Sequence, residues 1–453
     1  MKRVTLIMLS LLILGGVYAQ SDTLQMSDFG VYVKKAIDNS YSVSNSKMDV
    51  SKTQIERQIV RNVFLPKVSV SGEYAFAKTY LKADYSIPNV LTMLPYDGDY
   101  HTNYHLDGAH IFDAGVSATW VLFTGLKATY GMKALQHKAN AQSEMVKVEE
   151  SKVIKETVLF FDRLAVVRQA EKVLELSSKR LDEERKAAEK ALSEGLITSF
   201  DVRKIKIASL QLESKRIELR GQKSIILIRL SQLTGLDKET INSTKLDFNE
   251  WQYASNGSTA ESRPEIAALQ EKVTATKYKL KSTYSGYLPK VVALGTHRYS
   301  KITENRTGGI SAEMYPTNIV GVGLQWEIFD GFHTHHESKK AKLELLQTNN
   351  DLDNAKELLN VYYSKAYVDY NVAKEQVAVK EEISKESAHY LKISIKEYRE
   401  GLIKISERLE AETDVQKSEL EYLQAVLDQR QKTLDLMEAT GQLNIERFNE
   451  LVK

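Results

Sequence analysis

The sequence predicts a mainly α-helical chain with a β-barrel part, built from a duplicated helix–strand–strand–helix–helix unit. Three observations predict it. Long stretches lack proline, four runs alternate apolar and polar residues, and short motifs recur at one constant offset.

The six prolines are Pro66, Pro88, Pro95, Pro264, Pro289 and Pro316. None lies between Pro95 and Pro264, and none follows Pro316. Proline inside a helix costs about 3 kcal/mol, so such stretches permit very long helices. Ala, Glu, Lys, Leu, Gln and Val dominate 127–192, 337–398 and 407–442. Val153, Thr157, Phe160, Phe161 and Leu164 recur at three- and four-residue steps, an amphipathic helical stripe.

The proline-bearing regions read as strands. Val68, Val70, Tyr74 and Phe76 alternate with Ser69, Ser71, Glu73 and Ala75. Similar alternation runs through Ala114, Val116, Ala118, Trp120 and Leu122, and through Val322, Leu324 and Trp326. Residues 291–300 are a weaker match. The expected strands are about 67–80, 113–124, 290–300 and 319–329. Four strands with one apolar and one polar face have the pattern of a transmembrane β-barrel wall.

The duplication is specific. Phe123-Thr124-Gly125 recurs 206 positions on as Phe329-Asp330-Gly331. Glu194-Gly195-Leu196-Ile197 recurs at the same offset as Glu400-Gly401-Leu402-Ile403, and Thr234-Gly235 as Thr440-Gly441. A fourth match, Leu65-Pro66-Lys67 with Leu288-Pro289-Lys290, is displaced by 223, so the first strand pair carries the longer connection. That connection, about 79–112, is rich in Tyr, Asp, His and Gly and reads as an extracellular loop.

The expected organisation is therefore a signal peptide at 1–19, a first repeat at 20–236, an irregular equatorial segment at 237–263 and a second repeat at 264–453. Helical hairpins are expected at about 126–235 and 332–448, turning at Gly195 and Gly401. A helix from Gly125 to Gly195 would be about 105 Å long at 1.5 Å per residue. The shorter return helix is expected to stack on the helix opening at Pro264, with Ser262 as its N-cap. The N-terminal helix, about 26–64, would stack likewise on the C-terminal one.

The leader is legible. Lys2 and Arg3 precede an apolar run from Val4 to Val17, then Tyr18, Ala19 and Gln20. This is a secretory signal pattern, too short to span a bilayer. Charged residues make up 27% of the 453, nearly cancel at a net charge of +2, and show none of the basic excess of a nucleic-acid binder. Mean hydropathy is −0.35, unlike a helical membrane protein. With no cysteine there is no disulfide, thiolate metal site or lipoprotein anchor.

Open strand edges are not tolerated in lipid, so a four-stranded sheet needs further copies to close. Two copies give eight strands with a filled interior; three give twelve and an open lumen. The expectation is a homotrimeric twelve-stranded barrel continued by a long α-helical barrel into the periplasm.

The order of elements, the duplication, Leu-Pro-Lys-Val before a strand and the glycine turns resemble the TolC-type outer-membrane efflux family over essentially the whole mature chain. The resemblance implies the exit duct of an efflux pump or type I secretion system, docking a periplasmic adaptor and, through it, an inner-membrane pump. It places the adaptor contact on Gly195, Leu196, Ile197 and Thr198, and on Gly401, Leu402, Ile403 and Lys404. It places a periplasmic gate on Glu407 and Glu410, three apart on one helix face, with Tyr398 and Asp201 in its latch. The family's arginine two residues after the second tip glycine is here Ile403, with Lys404 the nearest substitute.

His333, His335 and His336 do not converge as ligands at i, i+4 would, and neither a metal nor a cofactor is expected. Neither a nucleophile–base arrangement nor a phosphate loop is present, so no catalysis is expected. Two rivals share some features. A periplasmic adaptor would carry a single hairpin between lipoyl-like halves, and a coiled-coil scaffold would lack the strands.

Overall fold

A computed structural model describes residues 28–85, 100–245, 248–253, 262–304 and 315–452. The leader and the middle of the first strand connection lie outside them. The elements are α1 (Asp28–Asn39), α2 (Tyr41–Arg61), β1 (Lys67–Tyr85), β2 (Tyr100–Phe123), α3 (Lys127–Ser193), α4 (Ser199–Thr234), α5 (Lys238–Ser243), α6 (Pro264–Tyr284), β3 (Lys290–Glu304), β4 (Tyr315–Gln325), α7 (His333–Arg399), α8 (Ile405–Ala439) and α9 (Ile445–Val452). Short 3-10 turns at 62–64 and 285–287 lead into β1 and β3.

The strands form one antiparallel sheet in the order β1-β2-β3-β4. Its register separates two faces. Val68, Ala118, Gly295 and Val320 make one row, and Val70 pairs with Val116 on the same face. On the other face Ser69 pairs with Ser117, and Glu73, Asp113 and Ser300 fall in line. There Arg298 Nε lies 3.1 Å from Asp113, and Ser300 donates to the same carboxylate at 2.7 Å. One face is thus mainly apolar, interrupted by the hydrogen-bonded pairs Tyr74–His110 and His297–Asn318, and the other is a more polar, hydrogen-bonded surface. Both β1 and β4 are edge strands.

β2 begins at Tyr100, well before the expected 113, so much of the predicted loop is strand. Tyr100–Leu106 pairs with Thr79–Tyr85 across a register shift at 77–79. Few of these residues are aliphatic, so the alternation that marks the rest of the strand is missing from the sequence here. β4 ends at Gln325 rather than 329. Trp326, just past it, donates its indole N–H to the Tyr287 carbonyl at 3.1 Å. Trp120 does the same to Phe64 at 2.8 Å, so the duplication reaches the side chains.

The recurring Phe-Thr/Asp-Gly motif has a local cause. Thr124 Oγ1 accepts from Ala128 N, and Asp330 Oδ2 accepts from Thr334 N, each satisfying a free N–H at a helix start. Gly125 and Gly331 both sit at φ +64, and each is followed by a left-handed residue, Leu126 or Phe332. Such backbone favours glycine and turns the chain from strand into helix.

The two 67-residue helices α3 and α7 are each about 100 Å long at 1.5 Å per residue. The shorter helices stack beside them, but in a different pairing from the one expected. Asn39, at the end of α1, donates to the carbonyls of Gln232 and Leu233 at the end of α4, so α2 continues the line of α4. Ser262 donates to the Thr440 carbonyl, so α6 continues α8. A Cβ on Gly441 would lie 2.8 Å from the Ser262 carbonyl, which shows how closely those ends meet. Side-chain donors reaching exposed C-terminal carbonyls decide the partners, and helical periodicity carries no trace of them. The N-cap of α6 is Arg263 rather than Ser262, with Pro264 in the first turn.

The result is a wall four helices wide. Next to the sheet the order is α2-α3-α6-α7, and toward the tips it is α4-α3-α8-α7. The main core lies at the equator between these halves. Phe29, Phe161, Leu164, Leu230, Trp251, Met437 and Phe448 are buried there, with Phe29 edge-on to Phe161 at 5.3 Å. Within the same belt Arg430 and Asp162, both 4% exposed, pair at 2.7 Å, and the guanidinium stacks 3.6 Å over Trp251.

Candidate functional site

The end of the wall away from the sheet carries every gate and tip residue that the sequence singles out, while His333, His335 and His336 start α7 beside the sheet. Both hairpins turn through one backbone device. Gly195 (φ +74) donates to the Leu192 carbonyl and Leu196 to that of Ala191; Gly401 (φ +75) donates to Tyr398 and Leu402 to Glu397. This is a Schellman ending, in which the residue after the glycine ordinarily packs back on its helix. Here it does not: Leu196 is 73% exposed and Leu402 69%. Ile197 and Ile403 are half-buried, and Thr198 and Lys404 are exposed. Phe200, one turn on, is exposed as well.

Asp201 closes the start of α4. Its carboxylate accepts from Thr198 N at 3.2 Å and from Thr198 Oγ1 at 2.7 Å, a capping box. Its repeat equivalent is Glu407, but the equivalent of Thr198 is Lys404, which has no hydroxyl to cap with. Glu407 and Glu410 stand exposed on α8 and make no ion pair among the described residues. Two hairpins of one design therefore differ in their acids: one carboxylate is tied to its helix start, and two face solvent.

Tyr398 is half-buried beside Ala188, Ile205 and Ile405. Burial pushes its hydroxyl pKa up, with Glu184 and Asp201 adding to the rise and Arg408 opposing it. It lines a cleft of about 370 Å³ between the ends of α3 and of the α7–α8 hairpin, together with Ile197, Gly401 and Ile403. The structure thus gathers Tyr398 and three tip residues at one cleft, while Glu407 and Glu410 are not among its lining.

Sequence reasoning missed four charged residues at this cleft and just above it. Arg180 of α3 grips Glu412 of α8 at 2.7 and 3.1 Å, and Glu412 is 2% exposed. Arg408, 1% exposed, reaches Glu412 at 3.3 Å and lies 3.6 Å from Glu184. A usable signal existed. Ile405, Arg408, Glu412, Val415 and Gln416 share the buried stripe of α8, so two charges sit where apolar residues are expected.

Glu419 lies on the same interface. Burial raises its pKa, Arg180 opposes the rise and Glu412 adds to it. A carboxyl with a raised folded pKa binds its proton more readily in the native state. Its contribution to stability is full below the ordinary glutamate pKa and is lost as pH rises through the folded one. Glu419→Gln should therefore raise the thermal midpoint at neutral pH and leave it unchanged near about pH 4. Melting curves at the two pH values check this; an equal effect at both would contradict it.

The outer membrane efflux protein family matches the chain over residues 32–236 and 257–442. Outer membrane efflux protein BepC of Brucella suis is 21% identical over 447 residues, covering 98% of this chain and 90% of that protein. Among solved structures, the outer-membrane channel CmeC of Campylobacter jejuni superposes with a TM-score of 0.72 at 15% identity, covering 95% of this chain and 90% of the other. The outer-membrane channel OprN gives 0.71 at 17% identity, covering 91% and 89%. At these identities the two structures speak for the fold alone.

Proposed function

The chain belongs to the outer membrane efflux protein family, and from that premise we propose that three copies close into one tunnel with a gated periplasmic end. The protein is a passive efflux conduit of the outer membrane, reaching into the periplasm, and not an enzyme. No helix among the described residues is long and apolar enough to cross a membrane; the apolar face of the sheet is what supports placing the sheet in lipid.

The observation that carries closure is the pair of open edges. β1 and β4 each present an unpaired backbone edge, which lipid does not tolerate. Below the sheet the edges are apolar too. α4 exposes Ile207, Leu210 and Ile217, and α7 exposes Val368, Val372, Val379 and Ile383. Since α4 and α7 flank the wall on opposite sides, α4 of one copy packs against α7 of the next, and repetition around an axis covers every edge. Three copies give twelve strands and an open lumen. The apolar face with Val68 and Val320 then meets lipid, and the polar face with Asp113 and Arg298 lines the bore.

The exposed tips face the periplasm, where the duct takes over cargo from an adaptor and its inner-membrane pump, in an efflux assembly or a type I secretion system. Glu407 and Glu410, which make no ion pair among the described residues, gather by three-fold repetition into an acidic ring at the entrance. Such a ring attracts cations through fields that low-dielectric walls focus. In planar bilayers, a divalent or trivalent cation should block current, and the Glu407→Ala/Glu410→Ala double variant should lose both that block and cation preference. Undiminished block in the double variant would remove the ring from the account.

A further inference from the structure

Charge is unevenly placed along the wall. The net charge of the chain is only +2, yet the helix ends beside the sheet are strongly basic. Residues 57–61 of α2, 127–143 of α3, 272–284 of α6 and 333–343 of α7 hold twelve lysines and arginines and one acid, Glu337. Eight of these lysines fall into two sets. Lys138, Lys272 and Lys279 line the groove between α3 and α6 and are matched by acids, Lys138 with Glu56 at 3.2 Å, Lys272 with Asp351 at 3.8 Å and Lys279 with Glu344 at 2.7 Å. Lys133, Lys277, Lys281, Lys339 and Lys342 are exposed and make no ion pair among the described residues. Lys133 and Lys281 lie instead over the Tyr278 ring, at 5.4 and 5.3 Å. Glu271, deeper on the same seam, is engaged by His137 and Asn140 at 2.7 and 3.1 Å.

The unmatched set faces outward. Four seven-residue steps lead along α3 from Lys133 to Phe161, and a drift of about 20° per step keeps both within one half of the helix circumference. Phe161 packs on Phe29 and Tyr32 of α1 at 5.3 and 5.4 Å, and Phe29 packs on Phe448 of α9. Lys133 therefore shares its side of the wall with this equatorial belt. Twelve helices about 10 Å apart, as three copies supply, enclose a bore of roughly 28 Å, which an inner layer of helices would nearly close. The belt lies outside, and Lys133 with it. Lys281 reaches the same Tyr278 ring, and Lys277 lies one turn before it on α6. Lys339 is the repeat equivalent of Lys133 at the offset of 206, and Lys342 follows one turn on.

We propose that these five lysines form a collar that binds the phosphates of anionic phospholipids in the periplasmic leaflet of the membrane. This goes beyond the three-copy reading and rests on it. At 1.5 Å per residue, all five lie within about 14 Å of the helix ends beside the sheet. A headgroup layer about 5–8 Å deep, with a Debye length of about 8 Å beyond it, covers that span. The collar continues the apolar side of the sheet. Trp120 and Trp326, in step with the apolar residues of β2 and β4, stand exposed at its foot, and indoles favour a membrane–water boundary. Lysine at such a boundary attracts anionic lipid while its stem covers apolar surface. The lack of acids over 127–143 of α3 and 272–284 of α6 suits a surface that faces phosphate.

The test places the complete detergent-extracted complex in phosphatidylcholine vesicles that hold a minor share of brominated phosphatidylglycerol, or the same share of brominated phosphatidylcholine. Bromine quenches nearby indoles. Trp120 and Trp326 sit just above the collar, whereas Trp251 is buried at the equator. Phosphatidylglycerol should be enriched around the protein about fivefold, and about 1 M salt, with a Debye length of about 3 Å, should remove the enrichment. The variant carrying Lys133→Gln, Lys277→Gln, Lys281→Gln, Lys339→Gln and Lys342→Gln should lose it as well. Lys138→Gln/Lys279→Gln, on the bore side, should keep it. Enrichment absent from the wild type, or undiminished in the five-lysine variant, overturns the collar. Equal loss in Lys138→Gln/Lys279→Gln overturns it too, since net charge alone would then be the cause. The mass of each complex is measured alongside. A three-chain complex without enrichment removes the collar alone, and a different mass removes the assembly on which it rests.

Discussion

Replacing Asp162 with alanine should destabilise the folded protein by about 3–5 kcal/mol, the usual cost of leaving one partner of a buried ion pair uncompensated. Arg430 would keep the Asn249 carbonyl at 2.9 Å and its stack on Trp251, but it would lose its one buried countercharge. Burial pushes the Asp162 carboxyl up toward its neutral form, and Arg430 pulls it back. The consequence spreads because Arg430 also holds the segment around Trp251, whose backbone N–H and carbonyl are both bound by Gln429. Thermal unfolding followed by far-UV circular dichroism measures the loss. The Asp162→Ala/Arg430→Met double variant should recover part of it, since no lone charge is then buried. A single variant as stable as wild type would mean that water reaches this pair.

Export should fail when Leu196 or Leu402 is changed to aspartate, with complex mass unaltered. Both side chains project from a completed Schellman turn, so their backbone role is satisfied without them. Their exposure has no internal use, and exposed apolar residues at the end of a long element mark a contact. If a partner buries them, an uncompensated charge there costs several kcal/mol, enough to reduce docking a hundredfold or more, at about 1.4 kcal/mol per tenfold. The measurement is drug or protein export from cells carrying each variant, with the outer-membrane level of the protein as control. Wild-type export in both variants would move the docking surface away from the tips.

Both predictions use features with different visibility in the sequence. Proline spacing exposed the long helices because proline is intolerable within them, and the constant offset of Gly125, Gly195 and Gly235 to Gly331, Gly401 and Gly441 exposed the repeat because positive φ demands glycine. The apolar face of the sheet was legible because period-two alternation is a direct consequence of the pleat. Strand β2 before residue 113 was not, since a ladder needs only backbone and its residues there follow no apolar rhythm. The stacking of α2 on α4 depends on Asn39 finding carbonyls 193 and 194 positions away, which no local pattern encodes. At the tips, glycine spacing pointed to the turns, and the family resemblance pointed to Leu196 and Leu402. The Arg180–Glu412 contact stayed hidden because charges on helices are ordinarily solvated, and only their place in the α8 stripe sets Arg408 and Glu412 apart. Asp201 shows the reverse: the family resemblance implied a latch, and the geometry adds a capping box that occupies its carboxylate.

In the proposed assembly, the open edges on both sides of one four-helix, four-strand wall are closed by further copies of the same chain. The most direct test is the mass of the complex extracted in mild detergent from the outer-membrane fraction, corrected for bound detergent. Three times the mass of the mature chain is the predicted result. A stable monomer, whose β1 and β4 edges would then stand unpaired in the membrane, would contradict the account.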